Sequence, residues 1–323
     1  MSIYIPMNGK KQIKSIFGNV NGEMNKFTGM FVNVDGIVTK MFSEYSEKIG
    51  RFVCVGDSGS SYYSLDGVNW IAMSGLDSSF SCYGVTYGND RFVCVGTAGK
   101  SYYSLDGKTW VAMSGLPSKS FKSVCYGNDR FVTVGYGGNS YYSIDGETWV
   151  AMSGASGDLM GVAYGNGRFV CVRNQGYSYY SLDGKTWSYL PGLSGAYVGV
   201  DYGNGRFVAV DETYGKSYYL LDGSTTWVAL SGSSGVLKGV AYGNGRFVCV
   251  GTYGKSYYLL DGSTTWVTMS GLDSNSYYMG VTYGNDRFVC VGGNGESHYS
   301  LDGVKWNSMT GLDSKTYRGV CYG

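Results

Sequence analysis

Seven near-copies of one phrase govern this chain: Arg-Phe-Val-Cys-Val-Gly or a close variant, then Tyr-Tyr-Ser-Leu-Asp-Gly or a close variant, then a single Trp. The arginines that open the copies are Arg51, Arg91, Arg130, Arg168, Arg206, Arg246 and Arg287, spaced 38 to 41 residues apart. A unit of that length cannot bury its own apolar face, so repetition at this period marks an array of small supersecondary units sharing a core. Residues 48–323 are therefore expected to form one domain of seven units, with a separate segment at residues 1–47.

Each unit divides into four short strand-like pieces, seen in the run Ser123–Tyr126, Arg130–Val134, Ser140–Ser143 and Thr148–Met152. Gly-Asn-Asp at residues 127–129 and Asp-Gly at residues 145–146 supply the turns. The first two pieces are nearly continuous apolar runs, as expected of strands covered on both faces. Four short strands per forty residues is the pattern of a β-propeller blade. The first unit starts at its second strand, whereas Gly319-Val-Cys-Tyr-Gly323 is a first strand with nothing after it. The C-terminal strand is thus expected to complete the first blade and close an all-β, seven-bladed ring without exposed edges.

Twenty-five Lys and Arg against 24 Asp and Glu give a net charge of +1, so no global field recruits nucleic acid or an anionic membrane. No apolar run reaches the roughly 18 residues of a membrane span, and the first residues lack the pattern of a secretory leader. Cys54, Cys94, Cys171, Cys249 and Cys290 recur at one repeat position, which Thr133 and Ala209 fill elsewhere. Equivalent positions in different blades lie too far apart for a disulfide, so these cysteines are expected to be reduced and to pack as small apolar groups. Trp70, Trp110, Trp149, Trp187, Trp227, Trp266 and Trp306, one per blade, are likewise expected to build the core.

The third-to-fourth turn reads Ser104-Leu-Asp-Gly-Lys-Thr-Trp110 and, in the fifth copy, Leu221-Asp-Gly-Ser-Thr-Thr-Trp227. It resembles the Asp-box of neuraminidase-type propellers, Ser, any, Asp, any, Gly, any, Thr, Trp. Five copies are one residue shorter than that pattern; the fifth and sixth keep its Asp-to-Trp distance but not its Gly position. The resemblance implies a propeller fold in which Asp66, Asp106, Asp145, Asp183, Asp222, Asp261 and Asp302 cap backbone N–H groups. It does not carry the enzyme. Neuraminidases use an arginine trio, a Tyr-Glu pair and an Asp acid on the opposite end of the ring, where this chain has only Arg173 and Arg318 as arginines and isolated Glu212 and Glu296. The one histidine, His298, replaces the first Tyr of a repeated pair and is expected on a strand. No catalytic residue, metal site or cofactor is assigned.

A residue present in every blade builds the blade, so function is sought where copies differ. The loops between second and third strands and between blades should emerge on one end of the ring. They contribute Tyr136, Arg173, Asn174, Gln175, Tyr177, Tyr197, Tyr214, Tyr253, Tyr277, Tyr278, Asn294 and Tyr317 as a candidate ligand or partner face. Tyrosines among short polar groups suit sugar rings and hydroxyls; they equally suit a protein contact.

Residues 1–47 hold a second repetition, Phe17-Gly-Asn-Val-Asn-Gly22-Glu-Met-Asn-Lys26 and Phe31-Val-Asn-Val-Asp-Gly36-Ile-Val-Thr-Lys40. Asn-Gly and Asp-Gly between apolar residues signal β-hairpins, which are expected to pack on a partner or on copies of themselves, giving a homo-oligomer. The doubled pattern resembles a short repeat of phage tail and structural proteins from phages of Gram-positive bacteria. That resemblance implies a non-enzymatic protein of a phage or phage-tail-like particle, assembled in the bacterial cytoplasm. Residues 1–47 would meet other tail proteins, and the propeller would meet a host surface polysaccharide. A purely architectural virion protein, a soluble lectin and a neuraminidase-type glycosidase are the alternatives.

Overall fold

The computed structural model describes residues 50–323 throughout, together with the backbone of three strands before them. The chain divides into two units, Met1–Gly50 and Arg51–Gly323. In the first, Lys10–Val20, Glu23–Val34 and Ile37–Phe42 form an antiparallel three-stranded sheet in chain order. Val20 pairs with Glu23 and Val34 with Ile37, so the two connections span the two-residue Asn-Gly and Asp-Gly signals. The two hairpins therefore share their middle strand. The turn residues themselves, and residues 1–9 and 43–49, lie outside the described residues.

The second unit is a seven-bladed β-propeller, each blade a four-stranded antiparallel sheet. Blade 1 is closed as expected: Tyr317–Tyr322 pairs with Phe52–Gly56, and Arg51 N donates to Gly323 O at 2.7 Å. Blade 3 shows the common plan, with strands Phe121–Gly127, Arg130–Gly135, Ser140–Ser143 and Val150–Ala151 running from the axis outward. The first two strands meet at a two-residue turn whose centre, Asn128 and Asp129, has φ of +47° and +56°. Asn and Asp tolerate this left-handed geometry better than other side-chain-bearing residues, which explains the recurring Gly-Asn-Asp and Gly-Asn-Gly.

The apolar second strands sit between two neighbours. Val53 and Val55 of blade 1 pack with Phe80, Cys94 and Trp110 of blade 2, while Phe52 and Cys54 pack with Val289 and Met309 of blade 7. Seven such wedge-shaped cores follow around the ring. The recurring cysteines are fully buried within them. Each tryptophan is buried, and five of them donate their indole N–H to a serine in the preceding blade, as Trp110 does to Ser61 Oγ (3.1 Å) and Trp227 to Ser178 Oγ (2.9 Å).

The strand-two arginines clasp neighbouring blades at one end. Arg168 donates to Ser224 O and Leu221 O at 2.9 and 2.8 Å, and Arg206 makes the same pair of bonds to blade 6. In the shorter turns a Cβ on Gly107 would lie 2.5 Å from Arg51 Cδ, so glycine makes room for the clasp. The outer rim is stitched by parallel bridges such as Ser74 with Thr109 and Ser153 with Thr186. Between blades 4 and 5 the corresponding position is Pro191, which has no N–H to give, and no bridge forms there.

Five aspartates cap the third-to-fourth turn as expected. Asp145 Oδ1 accepts from Glu147 N (2.8 Å), Thr148 N (2.9 Å) and Ser143 Oγ (2.9 Å), and Asp66, Asp106, Asp183 and Asp302 repeat the pattern. Asp222 and Asp261 correct the expectation. Their carboxylates accept from the phenols of Tyr202 and Tyr242, both at 2.8 Å, and the capping passes to Ser224 and Ser263. The cause is local: in these two blades the serine two residues before the aspartate is replaced by fully buried Leu220 or Leu259, and the turn is longer by one residue.

Candidate functional site

The second-to-third loops and the blade-to-blade connections do share one end of the ring, because they are hydrogen-bonded to each other. In blade 1, Asp57 N donates to Thr316 O and Gly59 N to Phe80 O; in blade 6, Thr252 N donates to Val236 O and Gly254 N to Ser276 O. Each loop is thereby fixed between the connection before its blade and the one after it. Fixed loops present side chains at low ordering cost.

Five of the candidate tyrosines are exposed at this end: Tyr136, Tyr177, Tyr214, Tyr253 and Tyr277. Tyr214 and Tyr253 are the most open, at 73% and 61%. All five come from blades 3 to 6 or from the connection that leaves blade 6, whereas the same loop carries Asp57-Ser58, Thr97-Ala98 and Gly293-Asn294 in blades 1, 2 and 7. The ring end is thus an aromatic arc on one side. Tyr253 and Tyr277 stand 5.1 Å apart between ring centroids, and Tyr177 lies 5.5 Å from Tyr189 with the Arg173 guanidinium 5.4 Å from its own ring. Asn174, Gln175 and Tyr177 line a shallow groove closed on its other side by Leu193 to Ala196. Asn294 is exposed on the blade 7 loop beside the end of the arc, where Gly293 N donates to Tyr277 O at 2.9 Å.

Tyr197, Tyr278 and Tyr317 do not belong to the face. All three are fully buried. Each opens the first strand of its blade, at the position held elsewhere by Cys82, Phe121, Leu159 and Leu237, and packs edge-on against a third-strand ring: Tyr317 on Tyr62, Tyr197 on Tyr218 and Tyr278 on His298. The first strands begin earlier than the sequence pattern indicates, so a loop reading becomes a core position. His298 sits on the strand Ser297–Ser300, its Nδ1 3.3 Å from the Tyr278 phenol, and burial pushes its pKa down.

What sequence reading missed lies at the axis. In every blade the register slips immediately after that buried residue, as between Phe121 and Ser123, leaving one extra residue unpaired. A bulge of this kind re-aims a side chain. The seven bulged residues, Tyr83, Lys122, Met160, Val198, Lys238, Met279 and Arg318, ring the mouth of a central channel whose upper cavity is about 430 Å³. Seven valines, among them Val85 and Val320, form a collar below. A lower cavity of about 310 Å³ follows, where Asp201 stands in a position otherwise held by Thr, Cys or Ala. Asp201 Oδ2 accepts from Tyr242 N at 2.7 Å, and burial lifts its carboxyl to about 6 against the pull of that hydrogen bond.

The mouth is built of cations and rings. Arg318 grips Asp57 with two bonds of 2.7 and 2.8 Å. Burial pulls the Asp57 carboxyl upward, but the bonds and charge of Arg318 outweigh it and hold the group below its ordinary range. Lys238 Nζ pairs with Glu212 at 2.5 Å, so Glu212 is tied to a structural partner. Lys122 Nζ lies 3.8 Å from the Tyr83 ring centroid and 4.4 Å from that of Tyr136.

Fold and site together define a seven-bladed propeller with a blade-specific aromatic and cationic face on one end. The sequence matches no family model, and no curated protein is similar enough to match it. Solved structures do match. YCF48 from Cyanidioschyzon merolae is 17% identical, with a TM-score of 0.59, covering 73% of this chain and 87% of its own. The structure described as YCF48 bound to D1 peptide gives 17% identity and a TM-score of 0.59 over 74% and 86% of the two chains. A computationally designed protein, Ika8, is 10% identical with a TM-score of 0.56, covering 92% and 97%. At these identities the likeness is one of fold.

Proposed function

We propose that this chain is a non-enzymatic binding protein of a phage or phage-tail-like particle, its propeller displayed so that the loop end holds a host surface glycan. The observation that carries the binding role is the confinement of the exposed loop-end tyrosines to blades 3 to 6 and the connection that leaves blade 6, in an otherwise repetitive ring. Core demands repeat in every blade; an arc present in only some of them answers to something outside the blade. Rigidly held rings beside Asn174 and Gln175 offer stacking faces and hydrogen-bonding groups for saccharides. The particle assignment rests on the doubled Asn-Gly and Asp-Gly repeat of residues 17–40 and its likeness to phage tail proteins.

Immunogold labelling of particles from a producing strain, with antibody against residues 51–323, tests the assignment. Label at a distal fibre or baseplate supports receptor binding, label along a tube or head supports an architectural role, and unlabelled particles refute the virion reading. A second reading, contact with a protein segment in place of a glycan, is favoured by one structural neighbour, YCF48, being bound to a peptide. Loss of glycan-array binding in Tyr253→Ala, with no effect on subunit assembly, decides for the glycan.

A further inference from the structure

Resting on that reading, we infer that the channel mouth is an anion subsite, where a carboxylate or phosphate on the bound saccharide sits against Lys122 at the end of the tyrosine arc. Three cations ring the mouth, and two of them are already matched: Arg318 by Asp57 and Lys238 by Glu212. Lys122 is not. Among the described residues no carboxylate lies within ion-pair distance of its ammonium, which is held between the rings of Tyr83 and Tyr136.

The positions of the charges point the same way. Lys122 and Arg318 both lie against Tyr83, 3.8 and 5.1 Å from its centroid, so the two charges are no more than about 9 Å apart. Asp57 neutralises Arg318, so this corner of the mouth keeps one net positive charge, on Lys122, and an anion beside that ammonium is attracted to it. The bulges that aim both side chains at the axis are features of the backbone, so the mouth is assembled before any ligand arrives. Tyr136 belongs both to the lysine's stack and to the exposed arc, which joins the subsite to the saccharide face. The near-neutral chain as a whole gives no long-range attraction. The selection is local, made by one uncompensated charge.

Calorimetric titration at low and at 0.5 M salt tests this with three probes: a galacturonic acid oligomer for carboxylate, a glycerol phosphate oligomer for phosphodiester, and a neutral glucose oligomer. One or both anionic probes are expected to bind about tenfold or more tighter than the neutral one at low salt, and which of them does so identifies the anion. Lys122→Gln and Lys122→Met should each remove that preference with the thermal midpoint unchanged, while Lys185→Met, at the opposite end, should keep it. Equal binding of charged and neutral oligomers overturns the subsite and leaves the tyrosine arc standing. A preference that survives both Lys122 variants overturns the assignment to this residue, and no binding of any oligomer overturns the glycan reading with it.

Discussion

Asp201→Ala should gain stability relative to the parent protein as pH rises from 4 to 8. The carboxyl is lifted from an ordinary 3.8 to about 6 by burial. Two pK units correspond to roughly 3 kcal/mol in a dry site. The side chain borders a channel cavity of about 310 Å³, and solvent there reduces the cost to about 1–2 kcal/mol. The sign follows from the raised folded value. The penalty is absent below the unfolded pKa, where the group is protonated in both states, and grows as pH rises from about 4 through 6. Alanine fits the position, since blades 4 and 6 carry Ala163 and Ala241 there. The variant also forfeits the hydrogen bond from Tyr242 N, about 1 kcal/mol at every pH. Urea unfolding followed by tryptophan fluorescence between pH 4 and pH 8 supplies the comparison. Because all other titrating groups are common to both proteins, the change in their stability difference isolates Asp201. A shift of about 1–2 kcal/mol in favour of the variant is expected across that range; a difference that stays flat with pH would falsify the reasoning.

Trp149→Ala should cost about 3–5 kcal/mol, as truncation of a buried inter-blade ring bonded to Ser101, whereas Tyr253→Ala should stay within about 1 kcal/mol. Equal losses in thermal melts of the two would contradict the blade packing. Asp145→Ala should lose about 1–2 kcal/mol at pH 7 through the uncapped turn. Its folded carboxyl is held well below the ordinary value near 4, so that contribution begins to decline as pH falls below about 4 and is lost only as pH falls through the depressed folded value; acid titration of the unfolding free energy should show variant and parent converging over that range. Hydrogen exchange should find the Trp227 amide less protected than that of Trp187, which donates to Ser153 O across an intact rim bridge. Pro191→Ser should raise protection at Trp227, and an unchanged rate there would show that proline is not what opens the blade 4–5 rim.

The blades were legible because their strongest demands recur: a second strand buried on both faces needs Phe and Val flanking a small residue in every copy, and the C-terminal Gly-Val-Cys-Tyr run repeats the first strand that the first copy lacks. The exposed tyrosines were legible too, since loops between known strands must emerge at a known end. The channel mouth was not, and the reason is one residue of register. Period-two alternation assigns faces only while pairing is continuous, and a slip of one residue sends a side chain to the other side. The bulge after Phe121 and its six counterparts therefore delivered Lys122 and Arg318 to the axis and took Tyr197, Tyr278 and Tyr317 into the core. A signal was nevertheless present. Two residues before a column of seven valines stands a column of Tyr83, Lys122, Met160, Val198, Lys238, Met279 and Arg318, too varied for a packing position beside neighbours so uniform. In a chain built of copies, a column that varies between invariant ones marks a place where the blades do not constrain one another. Side chains there are free to answer to a ligand, which is why the unmatched charge of Lys122 carries more functional information than any residue of the repeated phrase.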